Sequence, residues 1–349
     1  MTENKRFILK RRPDGMPVEG DFSLISEPIP ELTAGAILVR NHYVSLDPAI
    51  RGWLDDAPSY MPPVEIGASV TASAVGRVEE SKNPNFEKGQ WVLGLNAIEE
   101  YSVVEEGGFT APIDVSLVPS PTNYLSILGA VGMTAYFGLL DAGNPKEGET
   151  VLVTGAAGAV GSAVGQIAKI KGCRTVGIAG GPEKCRRLIE DYGFDAAIDY
   201  RGKDVDALDA AIQDAAPEGL DIIFENVGGD ILDAGIMSLN EHARVILCGL
   251  ISEYNTEHKG AKNLWQLIVK QASIRGFLIR DYAPRFAEGG AVMAKWISEG
   301  RIAFDEHIEH DIETAFDSFM MLFSGANTGK LILDIGPNSE GSGNTSAAQ

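Results

Sequence analysis

Cysteine, basic residues and long apolar runs are all scarce in this sequence. Only three cysteines, Cys173, Cys185 and Cys248, occur in 349 residues. They are scattered, odd in number and without a CxxC pair, which excludes a disulfide framework and a four-cysteine zinc lobe. Lysine and arginine number 29 against 49 acidic residues, a net charge of −20. A surface this acidic repels phosphate backbones and anionic lipid. Nucleic acid and membrane partners are therefore not expected, although one local basic pocket for an anionic cofactor stays possible. No apolar run approaches the roughly 18 residues of a membrane span. The N-terminal MTENKRFILKRRPDG is basic, but its apolar core is only Phe7-Ile8-Leu9. A secretory signal needs about 7–15 apolar residues. A reducing, cytoplasmic location is expected.

Apolar residues make up 44% of the chain, enough for sizeable cores. At roughly 150 residues per domain, two domains are expected. Up to about Thr122 the text is strand-like and broken by Pro, Gly and Asp: AILVRNHYVSLD, SVTASAVGRVEES and GQWVLGL. YLSILGAVGMTAYFGLLDAG then has apolar positions at threes and fours and predicts a helix. From there strand and helix alternate. TVLVTG, RTVGIAGG, DAAIDY, LDIIFENVGG, ARVILCGLIS and ASIRGFLIRDY read as strands; AVGSAVGQIAKIKG and PEKCRRLIEDYG read as helices. That alternation predicts a doubly wound parallel sheet. The helix ETAFDSFMMLFSG and the strand KLILDIG follow, and the strand is expected to return to the first domain. The expected organisation is a β-rich substrate and catalytic domain over 1–122 and 311–336, a nucleotide-binding domain over 123–310, and a polar, disordered tail over 337–349. A cleft between the two domains is the expected ligand site.

Small residues at a strand-to-helix turn let backbone N–H groups reach a diphosphate at the helix N-terminus. Gly155, Gly158 and Gly161 stand at GxxGxxG spacing between such a strand and such a helix. The same string alone would fit any tight turn, but a second strand in the right place favours a dinucleotide. An NAD site puts Asp or Glu about 20 residues on, for the ribose 2′-hydroxyl. Here that position reads Ala179-Gly180-Gly181, followed by Lys184, Arg186 and Arg187. A cation beside a missing carboxylate suits the 2′-phosphate of NADP. The five histidines, His42, His242, His258, His307 and His310, lack cysteine company, so no catalytic metal is expected. His307 and His310 are spaced to share a helix face, most simply as a solvated pair.

The pieces SLDPAIRG, GAVGMTAYFGLL, GAAGAVGSAVGQIAKIKGC, FENVGG, CGLISEYN, WQLIVKQASIRGFLI and NTGKLILDIG together resemble a known family. It is the zinc-independent medium-chain dehydrogenase/reductases, in particular the leukotriene B4 12-hydroxydehydrogenase/prostaglandin reductase group. The resemblance implies a GroES-like β-rich domain plus a Rossmann domain. It implies NADPH-dependent reduction of the carbon–carbon double bond of α,β-unsaturated ketones and aldehydes. Carried onto this chain, it puts Gly158, Ala159, Val160 and Gly161 at the diphosphate, and Lys184 and Tyr200 at the 2′-phosphate. Asn226, Cys248, Gly249 and the segment on to Tyr254 would border the nicotinamide. Phe277, Leu278 and Ile279 would present backbone to the carboxamide, and Asn327 would touch the cofactor from the returning segment. It also implies a homodimer joined near Ile274 to Ile279. One departure is Ala49, where the family pattern often has Tyr after Asp-Pro.

Conjugate reduction needs no metal. Hydride reaches the β-carbon and negative charge develops on the carbonyl oxygen, where one placed donor helps most. Tyr254 suits that role, since a phenol ordinarily titrates near about 10 and keeps its proton at neutrality. Arg51 reads equally as a cleft contact or a surface ion pair. Tyr60 is a candidate for the substrate mouth, and Trp265 reads more readily as helix core than as pocket. A quinone reductase on the same scaffold, or a non-catalytic NADPH-binding sensor, is the alternative.

Overall fold

In this computed structural model, which describes residues 3–337, the chain divides into two compact units. One unit contains the chain up to Leu125, Glu306–Asn327 and the segment from Leu331; the other contains Ser126–Asp305 and Thr328–Lys330.

The first unit is built on β-structure. Glu3–Leu9 and Phe22–Pro28 pair as an antiparallel ribbon. A larger sheet runs in the spatial order Glu306–His310, Lys330–Asp334, Ile37–Ser45, Thr71–Ser81, Trp91–Ala97 and Thr110–Pro112, with Tyr101–Val104 also paired to Ile37–Ser45. The sequence KLILDIG does return here: Ile332 lies opposite Ser45 in an antiparallel ladder. Leu9, Leu46, Ile50, Leu54, Leu333 and Phe319 are fully enclosed in the core of this unit.

The second unit is a single parallel sheet with helices on its faces. Its elements are β1 (Thr150–Thr154), α1 (Ala159–Ile170), β2 (Arg174–Ala179), α2 (Pro182–Glu190), β3 (Ala196–Asp199), α3 (Val205–Ala215), β4 (Leu220–Glu225), α4 (Gly229–Met237), β5 (Leu239–Leu247) and β6 (Ser273–Gly276). The spatial order is β3-β2-β1-β4-β5-β6, all parallel. This is the order of a doubly wound dinucleotide-binding sheet, with its switch point between β1 and β4. Strands buried on both faces read as continuous apolar runs. TVLVT, with all five residues buried, is such a run.

Several sequence expectations shift; the strand read over ASIRGFLIRDY is a strand only over Ser273–Gly276, with tight helical turns over Ile279–Arg285. The helical stretch from Tyr124 to Gly143 is helical only over Ala130–Phe137, preceded by tight turns and followed by a wider-wound turn over Gly138–Gly143. Gly132 explains the late start: a Cβ there would lie 1.8 Å from the Ile127 carbonyl oxygen, so the turn before the helix folds directly onto it. The strand read over Ala243–Ser252 begins earlier, at Leu239, and ends at Leu247, leaving Cys248–Tyr254 as a loop. The tail from Asn338 lies outside the described residues. Among the described residues, no helix is long and apolar enough to cross a membrane.

Helix α1 packs so closely that Gly165 faces the Phe194 ring with no room for a methyl; a Cβ would lie 1.9 Å from its Cζ. Overpacking of this kind costs about 1–3 kcal/mol. Gly165→Ala is therefore expected to lower Tm by about 3–10 °C in a thermal melt. An unchanged melt would show that the Phe194 ring moves aside freely.

Candidate active site

The loop between β1 and α1 is shaped by contacts that only hydrogen atoms permit. A Cβ on Gly161 would lie 2.4 Å from the Gly155 carbonyl oxygen and 2.8 Å from Ala156 Cα. Gly155 itself has φ +57°, a conformation glycine adopts without strain. Gly158 is the N-cap of α1 and offers no side chain to its first turn. The first N–H groups of any helix lack a carbonyl four residues back. Ala159 and Val160 stand half-buried at the mouth of this loop with Gly161 buried behind them, and N–H groups at such a helix start suit an anion. The returning segment reaches the same place: Gly329 bridges Gly158, and the Lys330 N–H donates to the Asp305 carbonyl at 2.8 Å. Asn327 stands two residues before Gly329.

At the ends of β2 and β3 lies a cationic corner. A Cβ on Gly180 would lie 3.0–3.2 Å from the Tyr200 ring and hydroxyl, and one on Gly181 would lie 3.0 Å from an Arg201 guanidinium nitrogen. Lys184, in the first turn of α2, has its pKa lowered by burial and by the neighbouring Arg201 and Arg187. The nearest acid, Asp199, accepts from the N–H groups of Gly181 (2.8 Å) and Arg201 (3.0 Å), which hold its pKa below the usual carboxylate value. The charges of Lys203 and Arg201 act on it in the same direction. Arg201 is a residue that sequence reasoning missed. It belongs to the next strand end, more than twenty positions beyond the glycine loop, and only the parallel pairing of β3 with β2 brings it here. The cations singled out from the sequence are partly employed elsewhere. Arg186 pairs with Glu183 and Glu190 on the outer face of α2, and Arg187 pairs with Asp191 and Asp305.

A third group gathers where β4 and β5 end. The Asn226 side chain donates to the Thr154 carbonyl at 2.7 Å. The Cys248 and Gly249 N–H groups donate to the Glu225 carbonyl at 2.9 and 3.1 Å. Burial, aided by the charge of Glu225, pushes the Cys248 thiol up to about 12, so it stays protonated at neutrality. The following loop folds back on itself. The Tyr254 hydroxyl accepts from the Leu250 N–H at 3.3 Å, and a Cβ on Gly249 would lie 3.0 Å from it. After β6, the Phe277 ring turns inward to meet Phe224 edge-on at 6.3 Å, and a Cβ on Gly138 would lie 2.5 Å from its tip. Phe277, Leu278 and Ile279 are half-buried where β6 ends.

The second unit therefore brings together Gly158–Gly161, Lys184, Tyr200, Asn226, Cys248, Gly249, Tyr254 and Phe277–Ile279 along the carboxyl ends of its strands, where doubly wound sheets hold ligands. Arg51 and Tyr60 belong to the first unit. The Arg51 guanidinium is buried, bound to Asp55 at 2.7 Å and to the Gly15 carbonyl at 2.9 Å, so it is no surface ion pair. Tyr60 is exposed and meets Trp53 edge-on at 6.4 Å. Trp265 is 69% exposed and is not helix core. His307 and His310 lie on a strand, where a spacing of three puts them on opposite faces rather than together. Among the described residues, no three His, Cys, Asp or Glu side chains are grouped as a metal would need.

Residues 5–111 match the family model described as the N-terminal domain of oxidoreductase, and residues 159–295 match the model described as zinc-binding dehydrogenase. A putative NADP-dependent oxidoreductase of Bacillus subtilis, YfmJ, is 44% identical, over 96% of this chain and 99% of its own. The NADPH-dependent curcumin reductase of Escherichia coli is 41% identical over 95% of this chain and 97% of its own. The crystal structure of CurA from Vibrio vulnificus in complex with NADPH is 40% identical and superposes with a TM-score of 0.89, covering 95% of this chain and 98% of that one. On this similarity along nearly its whole length, the chain belongs to the zinc-independent medium-chain dehydrogenase/reductases, a family of NADP-dependent oxidoreductases.

Proposed function

We propose that this protein reduces the carbon–carbon double bond of α,β-unsaturated ketones and aldehydes with NADPH. The observation that carries this reading is the placement of the Tyr254 hydroxyl over Gly249, beside the loop that holds Asn226. The similarity to an NADPH-dependent curcumin reductase supports it, since curcumin is itself a conjugated enone.

In this reading, Gly158, Ala159, Val160 and Gly161 hold the diphosphate, and Lys184, Tyr200 and Arg201 hold the 2′-phosphate. Asn226, Cys248, Gly249 and the backbone of Phe277, Leu278 and Ile279 frame the nicotinamide end, and Asn327 adds a contact from the returning segment. Bound NADPH supplies the hydride. Tyr254 then donates a hydrogen bond to the carbonyl oxygen as charge builds on it, and can pass its proton there. The hydrogen bond that its oxygen accepts from Leu250 polarises the hydroxyl and strengthens it as a donor. Cys248 stays neutral and adds no competing charge. Tyr60 would line the substrate mouth, and Arg51 would steady the segment around Gly15 through its hydrogen bond to that carbonyl. The free thiols of Cys173, Cys185 and Cys248 suit a cytoplasmic location.

We also infer a homodimer. Strand β6 is the sheet edge, with all four residues exposed. Beside it in sequence, Leu264, Trp265, Ile268 and Val269 expose a further apolar surface. A second copy aligned on the same edge would pair both strands and cover both surfaces.

Three measurements test this reading. First, NADPH oxidation is followed against 2-alkenals, a benzylidene-type enone, a 15-keto lipid enone and a quinone. Enone turnover to the saturated product is expected, and turnover of the quinone alone would overturn the proposal. Tyr254→Phe should lower kcat for the enone by about a hundredfold with the KM for NADPH unchanged, the scale for losing one oxyanion donor. An unchanged kcat would remove Tyr254 from the mechanism. Second, Lys184→Ala and Arg201→Ala should each raise the KM for NADPH by about tenfold or more while leaving that for NADH alone, as charge-assisted hydrogen bonds to a phosphate are lost. An equal effect on both cofactors would dissociate these residues from the 2′-phosphate. Third, light scattering should give twice the chain mass for the wild type and a monomer for Ile268→Glu combined with Ile274→Lys. A monomeric wild type would dispose of the dimer.

A further inference from the structure

Glu225 has no role in the reading above, yet it is completely buried at the end of β4, beside the switch point. Its Oε1 accepts three hydrogen bonds: from the Thr154 hydroxyl at 2.8 Å, the Val227 N–H at 2.6 Å and the Gly228 N–H at 2.7 Å. Its Oε2 is enclosed with no hydrogen-bond partner. A buried carboxyl is costly unless it is hydrogen-bonded, so one retained with an unpartnered oxygen points to a requirement. Burial drives its pKa upward, against the opposing pull of these donors.

The requirement lies in what the donors connect. The Thr154 hydroxyl donates to Glu225 and accepts from the Asn226 N–H at 2.8 Å, while the Asn226 side chain reaches the Thr154 carbonyl. Thr154 immediately precedes the glycine loop. On the other side, the Asn226 carbonyl accepts from the Ile251 N–H at 3.1 Å, and the Val227 carbonyl accepts from the Ser252 N–H at 2.9 Å and hydroxyl at 2.6 Å. Those bonds hold the loop that ends in Tyr254. The N–H groups of Val227 and Gly228 converge on one point, as in concavities that take anions, while the Gly229 N–H turns away to Glu253 at 3.3 Å. The carboxyl of Glu225 fills that point from inside the chain.

We propose that Glu225 is a positioning residue that locks the turn Asn226–Gly228 between the end of β1 and the loop Cys248–Tyr254. It thereby sets the nicotinamide end of the cofactor site against the diphosphate end. The proposal rests on the cofactor-binding part of the reading above, and not on the identity of the reduced substrate.

The test compares Glu225→Gln, Glu225→Ala and Thr154→Val by calorimetric titration with NADPH, by kcat, and by thermal melting. Glutamine keeps the accepting Oε1 and the shape; alanine removes the acceptor and leaves two N–H groups and a hydroxyl without it. Glu225→Ala should weaken NADPH binding by about tenfold or more, equivalent to about 1.4 kcal/mol, and lower kcat, with Glu225→Gln restoring both to within about threefold. A merely structural carboxyl would lower Tm but leave the Kd of the folded protein unchanged, and that result overturns the proposal. So does a glutamine variant as weak as alanine. If Glu225→Ala does not fold, Thr154→Val decides alone: a Kd raised at least about threefold supports the lock, and a smaller change overturns it. A wild type that binds NADPH but reduces no enone would sink the substrate reading while the Kd comparison still judges Glu225. A wild type that binds no NADPH would sink both.

Discussion

The approach of α1 to the end of β1 is the constraint on which the rest of the second unit depends. Gly161 lies against the backbone of Gly155 and Ala156 at a distance that no side chain allows. Because the helix starts that close, its first N–H groups open at the carboxyl end of the sheet instead of being covered by a longer loop. Gly165, one turn further, lets the same helix settle onto Phe194. Ser162, Ala163, Val164, Ile167 and Ala168 then bury their side chains. Close packing and the position of the helix start are therefore one geometric solution, and an added methyl group at Gly161 or Gly165 disturbs it.

Charge is organised around that opening in two ways. The protein is strongly acidic overall, yet Lys184 and Arg201 stand together beside Gly180 and Gly181. Asp199 accepts from the N–H groups of Gly181 and Arg201 and also feels the charges of Lys203 and Arg201. Burial, and then the like charges of Arg201 and Arg187, lower the pKa of Lys184, because each disfavours its charged form. The opposite arrangement holds at the ends of β4 and β5, where Glu225 is enclosed and its surroundings donate to it. One end of the site thus gathers cations, while at the other Glu225 takes up converging N–H groups from inside the chain, beside the loop that ends in Tyr254.

Much of this was legible from the sequence because it is local. Val153–Gly161 announces a strand, a tight turn and a helix start within nine consecutive residues, and apolar runs flanked by glycine announce the parallel strands. The loop after β5 and the late helix at Ala130 were less legible, since contacts such as Gly132 against Ile127 decide where an element ends. The same limit applies to side chains. Trp265 carries apolar character that says nothing about which neighbour covers it, and it is exposed. Arg187 looks in sequence like Lys184 but is drawn to Asp305, over a hundred positions away.

The sequence by itself determined the periodicity of strands and helices, the glycine loop, the missing acid after β2 and the excess of negative charge. Each is a property of neighbouring residues or of composition. Only the tertiary structure decided that Arg201 joins Lys184, that Arg51 is buried, and that Glu225 links Thr154 to the Tyr254 loop. Those depend on the parallel register of strands separated by whole helices, which places residues side by side without any pattern between them in the chain.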